Sequence, residues 1–205
     1  MNETERNRKG AMLMKKALFG ILILGLALPV AAGDLHGKLT CKGAKDCADA
    51  VVYVGAIAGK TFPPPKEHAT VDQKNMVFVP RVLPVLAGTT VDFLNSDAVL
   101  HNVYTNAVCA DKFNLGTWPQ GQTKSFTFAK ECVAELLCKV HPEMQGFVVV
   151  VPTPYFAAVK ADGSYKVADV PDGSYTVKVW HPKLKAAEKP VTVAGATQAD
   201  FEIAK

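Results

Sequence analysis

From residue 33 onward the apolar positions come in short runs, rich in Val, Thr, Phe and Tyr, each closed by Gly, Pro, Asn or Asp. Runs of that length with alternating polar positions belong to strands, whereas a helix would repeat its apolar residues at spacings of three and four. The pattern predicts twelve strands, at 35–40, 50–54, 76–79, 82–85, 90–94, 102–105, 123–128, 135–138, 147–151, 164–167, 174–180 and 189–193. No long stretch carries a helical period, so the expected class is all-β, built of packed sandwiches.

Two proline-rich segments divide the chain. Residues 63–70, opening with Pro63, Pro64 and Pro65, cannot join a ladder and read as a connector. Val151-Pro152-Thr153-Pro154 marks a second one. Between them lies a middle block, 71–151, flanked by 33–62 and 152–205. The first flank offers two strands, too few to bury a face alone. The last flank carries two Asp-Gly turns, Asp162-Gly163 and Asp172-Gly173, that introduce strands in need of partners. One discontinuous small sandwich with the middle block inserted in it is the expectation. The alternative is that each flank packs separately on the middle block.

The first 32 residues have a different character. Lys15 and Lys16 precede an apolar run over 17–28, followed by Pro29 and the small residues Val30, Ala31 and Ala32. That order is a secretory signal peptide cut after Ala32. The run is short for a bilayer span, so no stable membrane span is expected after cleavage, and the mature chain is expected in the periplasm or otherwise exported. The segment holds five Lys/Arg and two Glu, so the remainder carries +1 against +4 for the whole chain, and bulk charge gives no reason to expect nucleic-acid binding. With 49% hydrophobic and 8% aromatic residues among 205, a packed core is expected.

Export changes the meaning of the cysteines. There are five, Cys41, Cys47, Cys109, Cys132 and Cys138. Disulfides persist outside the cytoplasm, and an odd count leaves one thiol to be protected, for instance by a metal. Sequence does not fix the pairing. Cys41 with Cys47 closes a short loop, and Cys109 with Cys132 then ties together segments around the middle block. The absence of Cys-x-x-Cys-His argues against covalently attached haem.

The middle block ends in Cys138-Lys139-Val140-His141-Pro142-Glu143-Met144, followed by the apolar run 147–151. A thiolate, an imidazole and a thioether within one short loop favour copper, and two His, one Cys and a weak axial Met make the electron-transfer geometry of that metal. A second His must come from elsewhere. His101 is the candidate, because it follows a strand and the polar turn Asn95-Ser96-Asp97 and opens the next strand. Three ligands on a loop and one on a distant strand suit a rigid β scaffold. His36, His68 and His181 read as surface or structural residues, and Trp180 as a core residue before a turn.

The segments "VDFLNSDAVLHNV" and "CKVHPEMQGFVVVV" resemble the plastocyanin/amicyanin group of cupredoxins, the blue copper proteins, and the Cys-x2-His-x2-Met spacing is similar to amicyanin. The resemblance covers 71–151 and implies a Greek-key sandwich holding one copper ion. It implies equatorial ligands His101, Cys138 and His141, an axial Met144, and an Asn102 whose side chain braces the loop bearing the cysteine. Pro142 would stiffen that loop. The flanks resemble the carboxypeptidase-regulatory or transthyretin-like sandwich. The whole chain is similar to bacterial plastocyanin-like proteins labelled for methylamine utilisation, a label that implies no substrate here.

These resemblances imply a one-electron carrier between redox proteins, such as a c-type cytochrome and a periplasmic oxidoreductase. The alternative is a copper chaperone or storage protein using the same residues. A binuclear centre would need a cysteine at position 134, which is Ala134. No further downstream His supports a red copper site, although Glu135 and Glu143 offer oxygens. Neither a Ser/His/Asp order nor paired carboxylates suggest an enzyme.

Overall fold

A computed structural model describes residues 31–205. The segment read as a signal peptide lies outside them, apart from Ala31 and Ala32. Strands β1 (Ala32–Lys42) and β2 (Val51–Val54) form the first flank. The middle block holds β3 (Ala69–Lys74), β4 (Val77–Val79), β5 (Val82–Leu86), β6 (Thr89–Asn95), β7 (His101–Tyr104), β8 (Asn114–Trp118), β9 (Thr123–Phe128), β10 (Cys132–Leu137) and β11 (Gln145–Val151). The last flank adds β12 (Phe156–Ala158), β13 (Ser164–Pro171), β14 (Gly173–Trp180), β15 (Ala187–Val193), β16 (Thr197–Gln198) and β17 (Phe201–Ala204). Among the described residues the helical content is one 3-10 turn, Val108–Ala110, and no helix is long and apolar enough to cross a membrane.

The strands make four sheets, and no sheet mixes the middle block with the flanks. Middle-block sheets run β5-β11-β10-β7-β8 and β4-β3-β6-β9. Flank sheets run β13-β1-β16, with β17 also on β1, and β12-β2-β14-β15. The first flank thus finds its partners at the other end of the chain, β1 against β13 and β2 against β14.

Each pair of sheets closes on its own core. In β6 the residues Thr89, Val91, Phe93 and Asn95 alternate inward, as a strand with one wet face must. They pack with Val71, Phe128, Leu136 and Val148. The flank sandwich centres on Leu35, Val52, Val54, Val167, Val177 and Phe201.

Strand β11 departs furthest from alternation. Residues 146–151 are all buried. Val148 and Val150 face the middle-block core, while Phe147, Val149 and Val151 face Val51, with Trp180 and Phe156 packed alongside. The outer face of this sheet is therefore covered by the flank sandwich, which is why the sequence reads as an unbroken apolar run. Each valine buried there contributes roughly 1.5–3 kcal/mol.

Several elements were not visible in the pattern. The ladder of β3 begins at Ala69, inside the segment expected to be a connector, because Ala69 and Thr70 pair in parallel with Val91 and Asp92. Its inward residues are Val71 and Gln73, and a buried glutamine breaks the apolar rhythm. In β8 the glycine Gly116 adopts φ +74°, and only Leu115 and Trp118 interrupt a polar run. Two prolines inside strands, Pro84 and Pro190, sit in β5 and β15, each at the edge of its sheet, where a missing N–H costs no ladder bond.

Cys41 is bonded to Cys47, with Cα atoms 5.7 Å apart, and Cys109 to Cys132, 6.0 Å apart. Cys138 is free and buried. The second bridge spans 23 residues and clamps the 3-10 turn after β7 to the start of β10. Replacing Cys109 and Cys132 together by Ser is expected to lower stability by about 3 kcal/mol, read as a lower urea midpoint, with a slope no smaller than before because the unfolded chain loses a constraint.

Candidate metal centre

Strand β7 begins at His101, and β10 ends one residue before Cys138, so the two strands deliver both side chains to the same end of one sheet. The chain then turns over residues 138–144 and returns as β11. Within that turn the Met144 N–H donates to the His141 carbonyl at 3.0 Å, which closes the loop and turns Met144 inward. His101 is fully buried, Cys138 and Met144 nearly so, and His141 is partly exposed.

The donor atoms converge. His141 Nδ1 lies 3.1 Å from His101 Nδ1, and Cys138 Sγ lies 4.0 Å from His101 Nδ1. Ligand atoms of His101, Cys138 and His141 all fall within 4.8 Å of one another. Met144, 1% exposed, packs in the same core cluster as Cys138.

Hydrogen bonds decide which atoms are free to bind. The Asp97 carboxyl accepts from His101 Nε2 at 2.9 Å and from the backbone N–H groups of Asn75 and Met76 at 2.7 and 2.9 Å. Burial pushes this carboxyl up, but the bonds from Met76, His101 and Asn75 outweigh it and hold Asp97 below the usual carboxylate range. An ionised carboxylate only accepts, so His101 Nε2 must carry its proton, and Nδ1 presents a lone pair toward His141 and Cys138.

Asn102 holds the other side of the site. Its backbone N–H donates to Cys138 Sγ at 3.4 Å, and its side-chain oxygen accepts from the Lys139 N–H at 3.3 Å. The side-chain nitrogen donates to Asn114 Oδ1 and to the Gly116 carbonyl, at 2.9 and 2.7 Å. Asn102 therefore ties the residue after the cysteine to β8. The segment between His101 and Cys138 backs the site in the same way: β8 returns along β7 and sets Trp118, 1% exposed, opposite His101 in the ladder.

The residues present fit a soft ion: two imidazoles and a thiol converge, a thioether lies nearby, and their surroundings are largely dry. The structure brings together His101, Cys138 and His141, while Met144 packs in the core cluster that holds Cys138, Asn102 bonds to the loop, and Pro142 is exposed at its tip. His36, His68 and His181 lie elsewhere, His68 against Asp92 and His181 accepting from the Lys183 N–H. Glu135 accepts from Gln145, and Glu143 is exposed.

Two further residues escaped the sequence reading. Asp97 orients His101, and Asn95 sets the turn between them, its side chain donating to the carbonyls of Val99 and Trp118 and accepting from the Asp97 N–H. The signal available was the Asn-Ser-Asp run before the histidine, which marks a turn whose side chains bond nearby backbone.

Residues 65–151 match the model of a family described as copper binding proteins, plastocyanin/azurin family. Among solved structures, a proline-to-glycine variant of amicyanin, in its reduced Cu(I) form at pH 4, is 30% identical over 42% of this chain and 84% of that one, with a TM-score of 0.39. A purple cupredoxin from Nitrosopumilus maritimus is 27% identical over 40% of this chain and 98% of its own, TM-score 0.37. A copper-containing nitrite reductase from Thermus scotoductus is 25% identical over 49% of this chain and 25% of its own, TM-score 0.41. No curated protein sequence matches the chain. Copper is the cofactor of the matched family, and the cluster has the donors to hold it.

Asp97 is the most exacting of the supporting residues, because three N–H donors need its two oxygens. Asn at this position keeps one acceptor and loses the charge. Asp97→Asn is expected to weaken Cu(I) binding about 10- to 100-fold, measured by competition with a chromogenic chelator.

Proposed function

We propose, from the match of residues 65–151 to the plastocyanin/azurin family of copper-binding proteins, that the chain is a mononuclear type 1 copper protein carrying single electrons between redox partners. In this reading His101, Cys138 and His141 would hold the copper, and the Met144 thioether would complete the donor set. The observation that carries it is the convergence of the two histidine Nδ1 atoms and the Cys138 sulfur inside a hydrogen-bonded frame.

Copper bound there supplies a one-electron couple, Cu(II)/Cu(I). The protein's part is to keep the donors still. Asp97 prevents the His101 ring from swinging, Asn102 fixes the Cys138-Lys139 peptide, and the Met144 N–H pins the loop to His141. Donors that move little on electron transfer keep the reorganisation small. A frame of this kind also resists exchange of the ion, which favours a carrier over a chaperone. Four protein donors leave no obvious place for a substrate, so the reading is a carrier rather than an enzyme.

His141 is the route to the surface. Leu100 and Val140, the neighbours of the two histidines, are 52% and 43% exposed, and Val99 is 45% exposed. An apolar rim around a partly exposed ligand suits brief docking with a redox protein such as a c-type cytochrome. The reading further takes 71–151 as a cupredoxin unit inserted in a small transthyretin-like sandwich formed by 33–62 and 152–205. Support comes from the strand membership of the four sheets. It takes residues 1–32 as a signal peptide and the protein as exported, in keeping with the two disulfides.

The test is electron self-exchange, followed by NMR line broadening in mixtures of oxidised and reduced copper-loaded protein. Measurable exchange without loss of copper is expected. Leu100→Lys, which adds like charge to both copies at the rim, should slow it by about tenfold or more at low salt. An unchanged rate in the variant, or copper passing to an added chelator during cycling, would contradict the carrier reading.

A further inference from the structure

The loop bearing Met144 is held from outside its own domain. Arg81, in the turn between β4 and β5, donates through Nη1 to Asp49, which lies between the Cys41–Cys47 loop and β2 of the flank sandwich. Through Nη2 the same guanidinium donates to Gln145 Oε1 at 3.1 Å. Gln145 is the residue after Met144 and the first of β11. Its own amide nitrogen donates to Glu135 Oε1 at 2.5 Å, so an exposed side chain is fixed at both ends.

Arg81 holds this segment by its backbone as well. Its carbonyl accepts from the Phe147 N–H at 2.8 Å, and its guanidinium lies 5.6 Å from the centroid of the Phe147 ring, which packs against Trp180 of the flank sandwich at 5.4 Å. Between the two bonded residues sits Gly146, where a Cβ would come within 2.9 Å of Phe78 Cβ and 3.2 Å of the Arg81 carbonyl oxygen. The stretch from Gln145 to Phe147 therefore has little freedom to slide. Met144 itself has one backbone bond back to His141, so its position depends on the residue that follows it.

We propose that Arg81 is a positioning residue for the metal centre, and that the Asp49–Arg81–Gln145 chain lets the flank sandwich set how strongly the Met144 thioether engages the copper. An arginine puts two separate nitrogens in a fixed plane, one for the acceptor on each domain, where a lysine has a single nitrogen on a flexible stem. This rests on the reading of Met144 as a ligand of the copper. Looser thioether donation favours Cu(I) over Cu(II), so releasing Gln145 raises the reduction potential.

The experiment is voltammetry and visible spectroscopy of copper-loaded Arg81→Gln, Arg81→Lys, Gln145→Ala and Asp49→Asn beside the wild type. Arg81→Gln and Gln145→Ala should each change the ratio of Cu(I) to Cu(II) affinity by about threefold to tenfold, a rise of up to about 59 mV for one electron. The relative intensities of the thiolate-to-copper bands should move with it. Asp49→Asn should shift both in the same direction, and the Arg81→Gln/Gln145→Ala pair should shift no further than either alone, because the two residues act through one link. Arg81→Lys keeps a charge for Asp49 but loses the fork, and should behave like Arg81→Gln. Wild-type potential and bands in Arg81→Gln or Gln145→Ala would overturn the proposal, as would full rescue by Arg81→Lys, which would reduce Arg81 to domain docking. A wild-type protein lacking the intense thiolate band would instead overturn the reading of the site itself.

Discussion

A β-strand with no wet face has to be covered twice, and β11 is covered by a different sandwich on each side. Val148 and Val150 complete the core that encloses Cys138 and Met144, while Phe147, Val149 and Val151 are sealed by Val51 and the Trp180 ring from the flanks. The same strand begins one residue after Met144. The flanks could not be removed without exposing an apolar sheet face, and the metal loop could not shift without disturbing the strand that both sandwiches share. Stability and site geometry are coupled through this one element.

Around the donors, the structure favours rigidity. The side chains of Asp97, Asn95 and Asn102 are bonded to the site and to nearby backbone, whereas the buried Trp118 Nε1 beside them has no partner among the described residues. Asp97 joins the His101 ring to the turn at Asn75 and Met76, both held at φ 57°, and Asn95 joins the separate turn that carries Asp97 to β8. Asn102 joins β7 to β8 and to the Cys138-Lys139 peptide. Networks of this kind cost stability when half made and specify one arrangement when complete. A site meant to release its ion would gain from looser ligands.

What could be read in advance follows from how local each signal is. Cys138, His141 and Met144 lie on one loop, and their residue types alone narrow the chemistry to a soft metal. His101 is distant in sequence, but it follows a strand and a polar turn, and that context marked it. Asp97 was legible as part of that polar turn but not as the partner of His101, and Arg81 carried no mark at all. The importance of Asp97 depends on a hairpin turn from β3 that sequence did not reveal, and that of Arg81 on an acceptor in each of two sandwiches. The strand at residues 147–151 was legible from its apolar run, whereas β3 and β8 were hidden by a buried Gln73 and a left-handed Gly116. Local pattern reports what a residue prefers, and tertiary contacts decide the rest.

The proposed copper site of His101, Cys138, His141 and Met144 is tested most sharply by the visible and electron paramagnetic resonance spectrum of the oxidised, copper-loaded protein beside a Cys138→Ser variant. An intense thiolate-to-copper band with narrow hyperfine splitting is expected in the wild type, with loss of both in the variant. A colourless protein that retains only Cu(I), or a weak spectrum that Cys138→Ser leaves unchanged, would contradict it.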